Sequence, residues 1–235
     1  MSKHLHRDLD LLKKEILEMG SLVEKATRKS IEALEQRDAE LAREVIEGDD
    51  LLDAKEVEVE EECLKVLALH QPVAADLRFI VTVLKVNNDL ERMGDLAKNI
   101  AERSLDIVLD RKSVPPQIRE MADRVQGMVT RSLDALVRMD PWIARAVLGD
   151  DDAIDELNGR IHALFCAEME RDSKTVSNAL SLVLVSRHLE RIADQATNIA
   201  EDVIFTVEGE LVRHRRWEPV SVSPPSGKDR GLRAI

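Results

Sequence analysis

The sequence predicts an all-α protein built as two tandem, duplicated three-helix bundles, six long antiparallel helices in all. Three observations carry this. Helix-forming residues dominate while aromatic residues make up only 2% of the chain, and sheets lean on aromatic and β-branched side chains. The seven prolines leave long stretches uninterrupted, and apolar residues in those stretches recur in alternating steps of three and four, the stripe of a bundle helix. Finally, the chain repeats itself, as duplicated architectures do.

The first helix is expected over about Lys3 to Gln36. Its seam runs Leu5, Leu9, Leu12, Ile16, Met19, Val23, Ala26, Ser30 and Ala33, a coiled-coil spacing. The second should start at Asp38, which reads as an N-cap, and reach about His70 with a kink at Gly48. The third spans about Pro72 to Asp110. The fourth runs from Pro116 to Met139, with Ile118, Met121, Val125 and Met128 repeating the first seam. The fifth takes Asp140 as cap and Pro141 in its first turn and ends near Arg171; the sixth covers Ser173 to about Gly209. Connections of a few residues force neighbouring helices antiparallel.

The repeat has two registers. At a shift of 102 residues Glu18, Met19, Val23 and Ser30 coincide with Glu120, Met121, Val125 and Ser132, and Asp53 with Asp155. At a shift of 99, LERMGDLAKNIAE from Leu90 matches LERIADQATNIAE from Leu189 at nine of thirteen positions. One duplication with three residues lost explains both. The expected units are therefore 1–112 and 113–212, followed by a tail, 213–235, rich in Pro, Ser, Gly and Arg and expected to be disordered.

A chain of 235 residues, 44% hydrophobic, can bury one large core or two small ones. The net charge is −12, and six basic against two acidic residues from Arg213 onward leave −16 on the rest. Such a molecule repels a nucleic-acid backbone and suits cations. Few aromatic rings argue against base or sugar stacking. Cys63 and Cys166 lack a CxxC partner and read as reduced core thiols. The start, MSKHLHRDLD, has no apolar leader, and no run spans a bilayer, so a soluble, cytoplasmic protein is expected.

The chemistry-bearing residues lie on the repeated helices. Glu91, Asp95, Asn99 and Glu102 fall within about 80° of one another on a helical wheel, and Glu190, Asp194, Asn198 and Glu201 repeat the stripe. One carboxylate pair at this spacing is weak evidence, because a charged stripe is ordinarily a solvated face. A second pair in each copy changes the argument: Asp49 with Asp53, and Asp151 with Asp155. Counting back from the hairpin turns, Asp53 and Glu91 each lie about 27–30 Å along their helices, and Asp155 and Glu190 match likewise. Each bundle should thus gather four carboxylates at one level. Like charges so crowded destabilise a helix pair unless a cation neutralises them. All donors are oxygens, which favours magnesium, manganese, calcium or iron over zinc. No nucleophile–base pair and no phosphate-cradling glycine loop is present. Arg92 and Arg191 flank the stripe, either paired with it or facing an anionic partner. His70, His162 and His188 read as surface or helix-end residues.

The segment QPVAADLR from Gln71, followed by NDLERMGDLAKNIAE and its second copy HLERIADQATNIAE, resembles the PhoU family of phosphate-signalling proteins over about residues 3 to 209. The resemblance implies two side-by-side three-helix bundles, usually dimeric, with metal clusters of iron, zinc, manganese or magnesium held on the bundle surface by paired acidic motifs. Carried over, these motifs land on Asp49, Asp53, Glu91 and Asp95, and on Asp151, Asp155, Glu190 and Asp194, with Asn99 and Asn198 beside them. It also implies a non-enzymatic negative regulator of phosphate uptake and of the phosphate-starvation response. Such a regulator acts with the ATP-binding subunit of the phosphate ABC transporter and with the phosphate sensor histidine kinase, and meets the membrane only through them. The second copy has RDSKTVSN where the first has PVAADLR, so the bundles need not bind partners alike. Rival readings are a carboxylate-bridged metal-storage or di-metal redox bundle, against which the lack of Glu-x-x-His pairs counts, a purely structural scaffold, and an accessory protein of a low-affinity phosphate permease.

Overall fold

The computed structural model describes residues 3–107 and 114–209. No strand occurs among them. Helix α1 covers Lys3–Gln36, α2 Ala39–Glu47, α3 Asp49–His70 and α4 Ala74–Ile107; α5 covers Pro116–Arg138, α6 Pro141–Leu148, α7 Asp151–Arg171 and α8 Val176–Glu208. The first bundle is α1, the α2–α3 pair and α4; the second is α5, the α6–α7 pair and α8.

The seams fold as their spacing dictates. Leu12, Ile16, Met19 and Val23 of α1 are wholly buried, as are Ile118, Met121, Val125 and Met128 of α5. Asp38 caps α2 by accepting from the backbone amides of Glu40 (2.9 Å) and Leu41 (3.0 Å). Asp140 does the same for α6 through Trp142 (2.8 Å) and Ile143 (3.3 Å). Each carboxylate satisfies amide donors that the first helical turn leaves without a partner.

Three expectations on element bounds change. The second expected helix is interrupted at Gly48, the residue expected to kink it: α2 ends at Glu47 and α3 begins at Asp49, with Gly48 itself in right-handed helical conformation (φ −73°, ψ −11°). The fifth breaks likewise at Gly149–Asp150, where an unbroken helix was expected. In both copies a glycine, weak in helix interiors, precedes a pair of aspartates that prefer a helix start. The sixth begins as a 3-10 turn, Ser173–Thr175, before α8. The expected end of the third helix at Asp110 and the tail 213–235 lie outside the described residues.

The bundles join chiefly through α4 and α8, which run antiparallel, with α1 against α5 as a second contact. The register of α4 on α8 is set by polar pairs. Thr206 Oγ1 donates to the Asp202 carbonyl (2.7 Å), so Thr82 Oγ1 donates to Thr206 Oγ1 (2.5 Å). Lys85 reaches Asp202 at 2.9 Å, and Arg78 Nε donates to the Thr206 carbonyl at 3.2 Å. Arg78, part of the QPVAADLR segment, is thus a stitch between bundles. The loop before it is bent: Gln71 and Ala74 both have positive φ, 45° and 50°, a left-handed conformation that costs a side-chain-bearing residue energy.

Of the cysteines, Cys63 is buried as expected, and burial pushes its thiol up to about 12. Cys166 is exposed on α7, which corrects the reading of both as core thiols. Its neighbour Phe165 takes the core-facing place instead, 2% exposed. His70, at the end of α3, is more than a surface residue: its Nε2 lies 2.9 Å from Asp8 Oδ2 on α1, both side chains 16% exposed.

Candidate functional site

The helix breaks place the carboxylates. Asp49 is the first residue of α3 and Asp151 the first of α7, so each sits where the helix presents its positive end. Asp53 and Asp155 follow one turn later. On the facing helices, Glu91 and Asp95 of α4 and Glu190 and Asp194 of α8 carry their carboxylates on the side away from the core, while Met93, Ile100, Ile192 and Ile199 are wholly buried on the other.

Electrostatics record that the four acids of each bundle are neighbours. Loss of water around Asp53 raises its carboxyl pKa, and Asp49 and Asp95 add repulsion. Glu91 is raised by the same desolvation, then by Asp95 and Asp53, with Glu56 joining in. In the second bundle Asp151 is pushed up to about 6, first by burial and then by Asp155, Asp194 and Glu190 among its neighbours. Asp194 is raised by desolvation, Glu190 and Asp155, with Arg191 opposing. Asn198 lines a groove of about 660 Å³ between α4 and α8 with Arg92 and Glu201, so it stands at the seam edge of its stripe. Asn99 is half-buried at the matching place on α4.

The clusters differ in the side chains around them: Glu56, which adds repulsion at Glu91, is matched by Asn158, and Lys98 by Thr197. Lys98 Nζ lies 2.6 Å from Asp49 Oδ2, whose side chain is 6% exposed. The residue at the same place in the second copy is Thr197, whose hydroxyl donates to the Asp194 carbonyl at 2.7 Å. The first cluster therefore carries its own counter-ion and the second does not. A sequence search for acids and amides overlooks Lys98, yet the wheel showed it: seven residues after Glu91, it falls about 20° from it.

The donor chemistry fits a hard, oxygen-loving cation: four carboxylates per bundle, on two helices, mutually repelling. The cage is not preformed. Among the described residues no three Asp, Glu, His or Cys side chains stand close enough to hold an ion together, so a cation would have to draw the carboxylates inward. Neither Arg92 nor Arg191 forms an ion pair with the stripe it flanks; both are exposed.

An all-helical, internally duplicated protein with a surface carboxylate cluster on each half is the class that fold and site define. The family model for the PhoU domain matches it twice, over residues 16–104 and 118–203. The chain belongs to the PhoU family. It is 39% identical to the phosphate-specific transport system accessory protein PhoU homolog of Aquifex aeolicus, over 90% of this chain and 96% of that protein. The crystal structure of PhoU from Pseudomonas aeruginosa superposes with a TM-score of 0.84 at 36% identity, covering 87% of this chain and 99% of that one. The phosphate transport system regulatory protein PhoU from Streptococcus pneumoniae superposes at 0.83 with 28% identity, over 88% and 99%. The relatives' names describe accessory proteins of a transport system, in keeping with a regulatory adaptor.

Proposed function

We propose that this protein is a metal-binding cytoplasmic adaptor that restrains phosphate uptake and the phosphate-starvation response. It does so through contacts with the ATP-binding subunit of a phosphate ABC transporter and with the phosphate sensor kinase, and it works as a homodimer without catalysis. What supports the reading is membership of the PhoU family together with mutual repulsion among carboxylates on facing helices in each half. No helix among the described residues is long and apolar enough to cross a membrane, in keeping with a protein that meets the membrane through partners.

Asp49, Asp53, Glu91 and Asp95 would hold one metal centre and Asp151, Asp155, Glu190 and Asp194 the other. Bound iron, zinc, manganese or magnesium would supply positive charge. The chain's own part is to hold α3 against α4 and α7 against α8, so that a cation could draw the opposed carboxylates together and the bundle surface would keep one shape for docking.

The test is metal analysis of the purified protein beside a Glu91→Ala, Glu190→Ala variant, followed by capture of the transporter's ATP-binding subunit. Wild type should carry metal and capture the subunit; the variant should lose most of the metal and bind the subunit weakly. Equal metal content in the two proteins removes these sites, and full metal loading without capture removes the adaptor role.

A further inference from the structure

The arginines of this chain have ample partners, since 46 acids outnumber 34 lysines and arginines. On α5 alone, Arg119 pairs with Glu35, Arg124 with Glu120, Arg131 with Asp150 and Arg138 with Asp134. Arg187 and Arg191 on α8 are exposed and enter no ion pair among the described residues. They lie four residues apart, so they share one helix face about 6 Å from each other.

The register of the seam adds a third arginine. Lys85 opposite Asp202 and Thr82 opposite Thr206 fix α4 antiparallel to α8, which brings Arg103 of α4 level with the turn of α8 that carries Arg187 and His188. The positive field at His188 comes from Arg191, Arg103 and Arg187. His188 Nδ1 is itself shielded from water and has no hydrogen-bond partner. The acids at hand are Glu102, half-buried on α4, Asp106, which accepts from Arg103 at 2.9 Å, and Glu190 and Asp194 on α8, the second of which feels the charge of Arg191.

The duplication makes the comparison internal. Residues 99 positions apart occupy matching places on the two sides of the seam. On one side stands the groove with Lys85, Asp89, Arg92, Glu201 and Asp202. On the other the same places hold Leu184, His188, Arg191, Glu102 and Arg103. Two acids have become a histidine and an arginine, and Asn88 has become Arg187. A net negative wall is matched by a net positive one, on a chain of net charge −12. Like charges held together on an exposed face cost free energy unless an anion covers them, and guanidinium forks suit carboxylates.

We infer that the face formed by Arg103 on α4 with Arg187, His188 and Arg191 on α8 docks an acidic segment of a partner protein. The spread of the three guanidiniums, one turn apart on one helix and across to the next, matches carboxylates distributed along a segment. The inference rests on the adaptor reading only for the partner being a protein; because Arg191 acts on Asp194 of the second acidic cluster, it is tested without metal.

The test uses the full chain with chelator present. The probe is a fluorescent helical peptide bearing glutamates at four-residue spacing, with its all-glutamine counterpart as the control. Wild type should bind the glutamate peptide and not the glutamine one, and binding should weaken as salt rises from about 50 to about 300 mM. Arg187→Gln with Arg191→Gln should weaken it about tenfold or more, whereas Arg160→Gln, at an exposed arginine elsewhere, should leave it unchanged; circular dichroism checks that both variants fold. No binding by wild type, or equal binding by the double variant, overturns the assignment. Displacement of the peptide by inorganic phosphate, beyond that given by sodium chloride of equal ionic strength, also overturns it in favour of a small-anion site. Loss of peptide binding in a variant that still captures the transporter subunit fully would leave the adaptor role standing and remove this face from it.

Discussion

Asp49 is buried yet held as an ion pair by a single lysine, so the first cluster depends on Lys98 wherever no metal is bound. Removing one partner of such a pair leaves the other's charge uncompensated, a larger loss than the pair itself contributes. Lys98→Ala should lower stability by about 1–3 kcal/mol in chelator, read from urea unfolding, and added divalent cation should recover part of that. Asp151 behaves in the opposite sense. Its carboxyl titrates near 6 in the fold against an ordinary value of 3.8, so the folded state holds a proton more firmly than the unfolded chain. The metal-free protein should therefore be most stable below about pH 4 as far as this group is concerned, and should lose that contribution as pH rises through 6. Asp151→Asn removes the titration: roughly 1–2 kcal/mol of added stability at pH 7, allowing for partial exposure, with a flatter profile between pH 4 and 6. These two effects show what the sequence disclosed and what it concealed. Matching Glu91 and Asp95 to Glu190 and Asp194 needed only a repeat and a wheel. The inequality of the clusters turned on whether a lysine on the same stripe folds back onto Asp49, and side-chain direction is decided by packing.

At the level of helices, the second and fifth of the expected six are each interrupted for a reason local to one glycine. A wheel drawn through Gly48 or Gly149 puts Asp49 and Asp151 in mid-helix, where carboxylates gain nothing from the backbone; the breaks move them to helix starts. Pattern spacing is nearly blind to a one-residue break, since the apolar stripe resumes almost in phase on either side. Glycine matters in a second way where α3 crosses α4. A Cβ at Gly94 would lie 2.8 Å from a methyl of Leu52, so a larger residue there obliges the Leu52 side chain to move. The second copy solves the same crossing with Ala193 and with Ile154 in place of Leu52. Gly94→Ala alone should destabilise the protein by up to about 2 kcal/mol, the cost of displacing Leu52 less the ~1 kcal/mol that alanine gains over glycine in a helix, and Leu52→Ile should restore part of that loss. Thermal melts of the single and double variants measure both, and equal melting of all three proteins would contradict the packing described for this crossing.

Across the whole molecule, the seam between α4 and α8 carries polar contacts that hydrophobic patterning gives no hint of. Thr82→Val removes the donor to Thr206, whose own hydroxyl keeps its bond to Asp202, so a loss of about 1 kcal/mol is expected from denaturant unfolding. Because the contact lies between bundles, the change should appear in the cooperativity of unfolding as well as in its midpoint. Bundle topology was readable from proline positions and repeat length; the register between bundles was not, since it depends on which threonine meets which across 124 residues of chain. That antiparallel register sets the relation between the two hairpin tips. The bent loop at Gln71–Ala74 opens α4 and lies beside the end of α8, while the turn at Asp172–Ser173 opens α8 and lies beside the far end of α4. The tips thus stand about 50 Å apart, the length of either helix. Two large bodies approaching along the long axis would each find a different end cap, one built on PVAADLR and one on DSKTVSN, and neither would have to leave for the other to arrive.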